Sequence, residues 1–443
     1  MPDALLSDLR DWLRIPSIST GEGDPADIER AAEWIAARVR GAGGEAQLVR
    51  YGTGNPLVVG ELRASAGADA PTVIAYGHYD VQAPGDLALW ASPPFEPEVR
   101  DGRLFARGAA DDKGNVLPLV HAACELARAG ELPVHVRILV EGEEEAGGAT
   151  LGRWMREDER GADVALVFDS AMAAPDTPAI TVGLRGVVFC ELTVRTAQRD
   201  LHSGLYGGSV LNALHVVHRL LAEVVPDADG RVREELRAGI EPPTADELAS
   251  WARLEPGERV IAAAGGRPVA PGAGAEYYAR NGADASLDVN EVRAGEPRTV
   301  IPRSARAAFS LRLAPRQDAA AMREVLERLL RAALPAGAEL ALAWHTAEPA
   351  LFEPGLPALQ LAAEGIRRGT GLDPAFVRTG GSIPVVAQLG ARGIPVVVSG
   401  FNLPDDPIHA PDESIWLRGL ELGEAAAREM LRAFAALGRG GGA

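Results

Sequence analysis

Residues 71–81 read PTVIAYGHYDV and residues 134–148 read VHVRILVEGEEEAGG. Each is an apolar run of strand length that stops abruptly in glycine followed by His or carboxylate residues, the pattern of a strand buried on both faces with its polar residues gathered at the carboxyl end. The same texture recurs in NPLVVGELR at 55–63, DVALVFD at 163–169 and IPVVVSG at 394–400. Amphipathic stretches at about 26–42, 114–129, 149–157 and 356–369 separate these runs, and a closing helix at about 416–437 precedes a glycine tail. SIPVVAQLG at 382–390 reads as one further strand. Helices alternating with apolar strands predict an α/β fold: a mostly parallel, doubly wound sheet that collects ligands at its strand ends.

After Arg185 the pattern changes. VVFCELTVR, RSARAAFSLRLA and ELALAWHT read as strands, with SVLNALHVVHRLLAEV and DAAAMREVLERLLRAAL as helices between them. That order predicts a smaller inserted α+β sandwich, with a loop-rich stretch at 227–298 that yields no pattern. The expected organisation is a catalytic domain built from 1–184 and 348–443, interrupted by an inserted domain at 185–347, without internal repeats.

The whole chain bounds the function. Its 443 residues carry 44 Lys+Arg against 62 Asp+Glu, a formal charge of −18, which leaves no basic surface for nucleic acid. Two cysteines, Cys124 and Cys190, cannot staple a fold of this size, and no apolar run approaches the roughly 20 residues of a membrane span. The opening MPDALLSDLRDWLR lacks the basic start of a signal peptide. A cytoplasmic protein without membrane or nucleic-acid partners is expected.

Chemistry-bearing residues fall where the strands end. His78 and Asp80 follow the first run, Asp111 and Asp112 sit in the glycine-flanked RGAADDKG, Glu143, Glu144 and Glu145 follow the 134–140 run, Asp169 closes DVALVFD, and His409 lies in DDPIHAPDES. Each alone is as well explained as a turn residue, a helix cap or a solvated charge. Together they are nitrogen and oxygen donors on one rim of a sheet, where carboxylates repel one another unless cations lie between them. Lys113, the only lysine among the 44 basic residues, falls in the same loop, which suggests a special demand there.

As a set, GHYDV, RGAADDKG, EGEEEAG, the strand-end Asp169 and IHAPDE resemble the motif series of the co-catalytic metallopeptidases that include carboxypeptidase G, acetylornithine deacetylase, succinyl-diaminopimelate desuccinylase and the cytosolic nonspecific, carnosine dipeptidase-like dipeptidases. The resemblance runs in order from about residue 5 to about residue 430. It implies two divalent metal ions, Zn²⁺ first and Mn²⁺ or Co²⁺ as alternatives, with Asp111 bridging them, His78 and Asp169 completing one site, and Glu145 and His409 the other. Glu144 would be the general base toward a bridging water, Asp80 would orient His78 through its ring N–H, and the Asp111–Asp112 peptide would be cis.

DLHSGLYGGSV at 200–210 resembles the dipeptidase-type segment that sends a His across a dimer interface, which implies a homodimer in which His202 binds the scissile carbonyl oxygen. By the same resemblance Thr299 and Arg312 contact substrate from lid strands, while Gly381 and Ser382 of GGSIP hold its carboxylate. Asp412 stands where many relatives have Asn and is followed by Glu413, so more acidic surroundings are expected near His409. The implied reaction is hydrolysis of an amide in dipeptides or short peptides with a free carboxylate. N-acyl amino-acid deacylation by the same centre is the alternative, and a catalytically silent binding protein of the same fold is the non-enzyme alternative.

Overall fold

In the computed structural model, residues 3–21, 23–65 and 67–439 are described; the expected glycine tail lies, from residue 440 on, outside them. The chain divides into two compact units, one made of Met1–Val182, Phe352–Phe376 and Gln388–Ala443, the other of Gly183–Leu351 and Val377–Ala387.

The first unit is built on a sheet of β1 (Glu45–Val49), β2 (Leu57–Leu62), β3 (Thr72–His78), β4 (His135–Glu141), β5 (Val164–Phe168), β6 (Ala179–Leu184) and β7 (Val396–Ser399), laid side by side as β1-β2-β4-β3-β5-β7-β6. The central strands β4, β3, β5 and β7 are parallel, and β1, β2 and β6 add antiparallel flanks. Alternate residues such as Val73, Ala75, Val136, Ile138, Val164 and Leu166 enter one continuous core with the helices Asp3–Leu13, Pro25–Gly41, Lys113–Arg128, Pro357–Thr370 and Leu417–Phe434. The opposite set, including Ile74, Tyr76, Leu139, Ala165 and Val167, is buried as well. Coverage of both faces is why these strands read as unbroken apolar runs rather than as alternation.

Local chemistry starts the helices where they start. Asp24 accepts from the Ala26 N–H and Pro25 supplies the fixed φ of the first turn, while Arg38 and Arg40 lie in the last turn. Gly77 matters for close approach: a Cβ there would stand 2.5 Å from Asp112 Oδ2 and from Val116, so only glycine lets the start of the helix Lys113–Arg128 press against the end of β3.

The second unit carries an antiparallel sheet in the order Ser286–Ala294, Ser304–Leu313, Gly186–Arg195, Glu339–Ala347. The helices Ala213–Ala222 and Ala319–Ala333, capped by Asn212 and Asp318, pack on one face with Val188, Leu192, Phe309 and Leu326 in their core. Two local expectations are corrected. The stretch 227–298 is not loop alone: it holds the short helices Ala245–Trp251, Gly257–Ala263 and Tyr277–Gly282 and the edge strand Ser286–Ala294, whose side chains are mostly exposed and whose register shifts between Val289 and Glu291. SIPVVAQLG is a helix, Pro384–Ala391, and the strand comes before it at Ala375–Thr379.

Candidate metal centre

Parallel pairing of β4, β3, β5 and β7 brings their carboxyl ends to one rim of the sheet. His78 is the last residue of β3, Asp169 follows β5, and Glu143, Glu144 and Glu145 follow β4. Asp111 precedes the helix Lys113–Arg128, and its peptide bond to Asp112 is cis. His409 adopts φ 59° in the loop after β7.

Two donor groups result, His78–Asp111–Asp169 and Asp111–Glu145–His409, each with its ligand atoms within 4.8 Å of one another. Asp111 belongs to both: its Oδ1 lies 3.0 Å from His78 Nε2 and its Oδ2 2.9 Å from His409 Nε2, which is also 3.2 Å from Glu145 Oε2. The set of imidazole nitrogens and carboxylate oxygens suits Zn²⁺ and similar divalent ions. Glu145 Oε1 is buried and has no hydrogen-bond partner. A buried acceptor without a donor, inside such a group, fits the role of a cation ligand.

The three consecutive glutamates have separate surroundings. Glu143 accepts from the N–H groups of Asn55 (2.8 Å) and Thr150 (3.0 Å), so it fixes the loop. Glu145 Oε2 accepts from Gln82 Nε2 at 2.7 Å. The Glu144 carboxylate makes no hydrogen bond among the described residues. Burial pushes its pKa up to about 7, with His78 opposing and Asp111 and Glu145 adding to the rise.

Asp80 contacts more than one ring. His78 Nδ1 lies 3.0 Å from the Asp80 main-chain oxygen and 3.4 Å from its Oδ1, so the main-chain contact is the shorter. The Asp80 carboxylate accepts from Ser19 Oγ (2.5 Å) and from the N–H groups of Glu144 (3.3 Å) and Glu145 (3.2 Å). One carboxylate thereby ties the end of β3 to the loop after β4.

The electrostatics report too many acids for the protein's own cations. Burial raises Asp169 well above the usual carboxylate range, against His78 and with the help of Glu144 and Asp111, and it raises Glu141 to about 8 against the Tyr76 hydroxyl. His409 is pushed up to about 10 by its hydrogen bonds to Asp111 and Glu145. At His78, burial opposes protonation, but Asp111 and Asp80 outweigh it.

Three residues near the centre stood out in the sequence without revealing their roles. Glu413 Oε1 accepts from the N–H groups of Ala110 (2.9 Å) and Asp111 (3.0 Å), and its Oε2 from Gly108 N–H (3.0 Å) and Arg107 Nη1 (2.6 Å). Asp412 accepts from the Ala91 N–H at 2.9 Å. Each acid thus serves main-chain donors of the loops beside the centre. Lys113 is buried and points away from the cluster: its Nζ donates to the carbonyls of Trp12 (3.1 Å) and Ile15 (2.8 Å), and burial lowers its pKa to about 7. Its special demand is structural. A lone Glu in an acidic loop carries no sequence signal for such a role.

His202, Thr299, Arg312, Gly381 and Ser382 belong to the second unit. His202 is exposed, its strand pairs with Val300–Ile301, its Nδ1 accepts from Gly204 N–H at 3.0 Å, and Ser203 Oγ donates to the Thr299 carbonyl at 2.9 Å. Arg312 Nη1 donates to Ser382 Oγ at 3.3 Å.

The model of "Peptidase family M20/M25/M40" matches residues 74–433. The chain is 29% identical over 409 residues to a cysteinylglycine-S-conjugate dipeptidase of Corynebacterium striatum, covering 87% of this chain and 86% of that protein. It is 28% identical to a succinyl-diaminopimelate desuccinylase of Xanthomonas campestris pv. campestris over 90% and 91% of the two chains. Among solved structures, an M20 family metallo-carboxypeptidase from Sulfolobus solfataricus superposes with a TM-score of 0.87 at 26% identity, covering 98% of this chain and 99% of the other.

Proposed function

The chain belongs to peptidase family M20/M25/M40, and on that premise we propose that it is a metal-dependent dipeptidase that hydrolyses the amide of dipeptides or short peptides bearing a free carboxylate. The observation that carries this reading is the pair of donor groups sharing Asp111, with an unbonded, half-buried Glu144 beside them. His78, Asp111 and Asp169 would hold one divalent ion and Asp111, Glu145 and His409 the other, Zn²⁺ before Mn²⁺ or Co²⁺. Bound ions of this kind lower the pKa of a coordinated water and polarise the scissile carbonyl.

Glu144 takes the proton from the attacking water and returns it to the leaving amine; a carboxylate whose pKa lies near neutrality is suited to both transfers. Asp80 positions His78 and the Glu144–Glu145 backbone. Residues 185–347 act as lid and dimerisation domain of a homodimer. From it His202, delivered to the partner subunit, stabilises the developing oxyanion, Thr299 and Arg312 contact substrate, and Gly381 and Ser382 hold its carboxylate. Two buried free cysteines suit a reducing, cytoplasmic setting.

N-acyl amino-acid deacylation is the second reading, supported by the desuccinylase likeness over 90% of the chain. Both are tested on metal-reconstituted protein with a panel of dipeptides and N-acetyl or N-succinyl amino acids. Dipeptide turnover that falls by about 10²–10⁴ in Glu144→Gln at retained metal content is expected; near-normal turnover in that variant removes the general-base role, and preference for N-acyl substrates selects the second reading. Mixing His202→Ala with Glu144→Ala subunits in the same assay restores activity if His202 acts across subunits.

A further inference from the structure

Within the second unit, Arg185 is a buried cation without a counter-ion. It is 6% exposed, yet Nη1 meets only the Arg280 carbonyl at 3.5 Å and Ser286 Oγ at 2.9 Å, and its buried Nε has no hydrogen-bond partner. Among the described residues no carboxylate pairs with it. The nearby Asp284 is already engaged by Arg231 and Arg237. Burial, and after it the positive charge of Arg312, lowers the Arg185 pKa to about 10.

Arg185 and Arg312 are joined by one short loop. Ser382 Oγ donates to the Arg185 carbonyl and receives Arg312 Nη1, while Arg185 N–H donates to the Thr379 carbonyl at 3.3 Å. Gly380 lies on the guanidinium: a Cβ there would stand 2.9 Å from Arg185 Nη2 and 3.5 Å from Nε. The Arg185 guanidinium therefore lies against the loop whose Ser382 holds Arg312, and a buried charge whose nearest acids are the exposed Asp288 and the already engaged Asp284 is unfavourable unless an anion completes the group.

We propose that Arg185 is a positioning residue for substrate specificity, which holds the Thr379–Ser382 loop from beneath and supplies the second positive charge that makes the Arg312–Ser382 edge select a free carboxylate. The inference rests on the proposed preference for carboxylate-bearing substrates and adds the residue that enforces it. Arg312 and Ser382 touch the carboxylate, and Arg185 acts through them. Half-buried Arg312 offers one charge, and buried Arg185 against the loop adds a second, fixed one, a preset potential that a neutral carboxamide cannot satisfy.

The test compares a dipeptide with its C-terminal amide on the metal-loaded, full-length enzyme. For wild type, kcat/KM favours the free acid. In Arg185→Gln that ratio falls about tenfold, a change of about 1.4 kcal/mol, and the fall appears in KM for the acid rather than in kcat. Arg185→Lys recovers part of the preference because it restores charge without the fork of donors. Gly380→Ala, which displaces the guanidinium without removing it, lowers the ratio in the same direction and serves where Arg185→Gln folds poorly. An unaltered ratio in both Arg185→Gln and Gly380→Ala, or an equal loss for acid and amide, overturns the role of Arg185 alone. A wild-type enzyme indifferent to the carboxylate overturns instead the substrate reading on which it rests.

Discussion

Both oxygens of Glu413 are committed to the loop that carries Asp111, one pair of N–H groups at Ala110 and Asp111, another donor pair at Gly108 and Arg107. The geometry of the shared ligand therefore depends on an acid that touches no expected metal position. In Glu413→Gln one acceptor becomes a donor facing main-chain N–H groups, and buried Arg107 loses its charge partner. Metal retention measured by dialysis and elemental analysis is expected to weaken about 10–100-fold, with the far-ultraviolet circular dichroism kept; unchanged retention would show that the loop holds Asp111 without it. At this scale the donors were legible only as a set, because each His or carboxylate alone reads equally as a turn residue, a cap or a solvated charge. Glu413 and Arg185 were not, since a single charge in a loop or at a strand start looks the same whether it is solvated or buried.

The elements that carry the donors were legible through burial on both faces, which leaves runs such as VALVF with no polar residue at all. Ser286–Ala294 escaped because an edge strand with exposed side chains and a register shift has neither an apolar run nor clean alternation. SIPVVAQLG misled for the opposite reason: a short apolar segment has no period to read, and its proline marks a helix start as readily as a strand edge. The junction of two helices yields a prediction of its own. Lys113 opens the helix Lys113–Arg128 and closes Asp3–Leu13 by donating to the Trp12 and Ile15 carbonyls, its Nζ 5.6 Å from the centroid of the Trp12 ring. Lys113→Met removes the charged donor from both carbonyls, leaving Trp12 with only the Ile15 N–H (3.1 Å) and Ile15 with only the Ser17 N–H (2.9 Å), and is expected to lower the unfolding free energy by about 2 kcal/mol, measured by urea denaturation at constant metal content. A change within a few tenths would mean that water or neighbouring donors replace the ammonium.

For the molecule as a whole, the formal charge of −18 omits the ions that the crowded rim calls for. Stripped of them, the folded state keeps Asp111, Glu144, Glu145 and Asp169 together with two imidazoles as their nearest cations. Ions that bind the folded chain alone stabilise it by mass action, about 4 kcal/mol per site at a thousandfold excess over Kd. Chelation is thus expected to lower Tm by several degrees and Zn²⁺ to restore it, followed by scanning calorimetry; a Tm indifferent to chelator would argue that the carboxylates carry protons instead. The order of strands in the central sheet also bears on how the protein is made. β5 and β6 follow each other closely along the chain, yet β7 lies between them and is translated only after the entire second unit. A ribosome-bound chain must therefore hold a slot open in its sheet, with two unsatisfied strand edges beside it, until residues 396–399 emerge. His409 arrives only after that slot is filled, so a polypeptide cut short before β7 would be both sticky and unable to complete its second metal group.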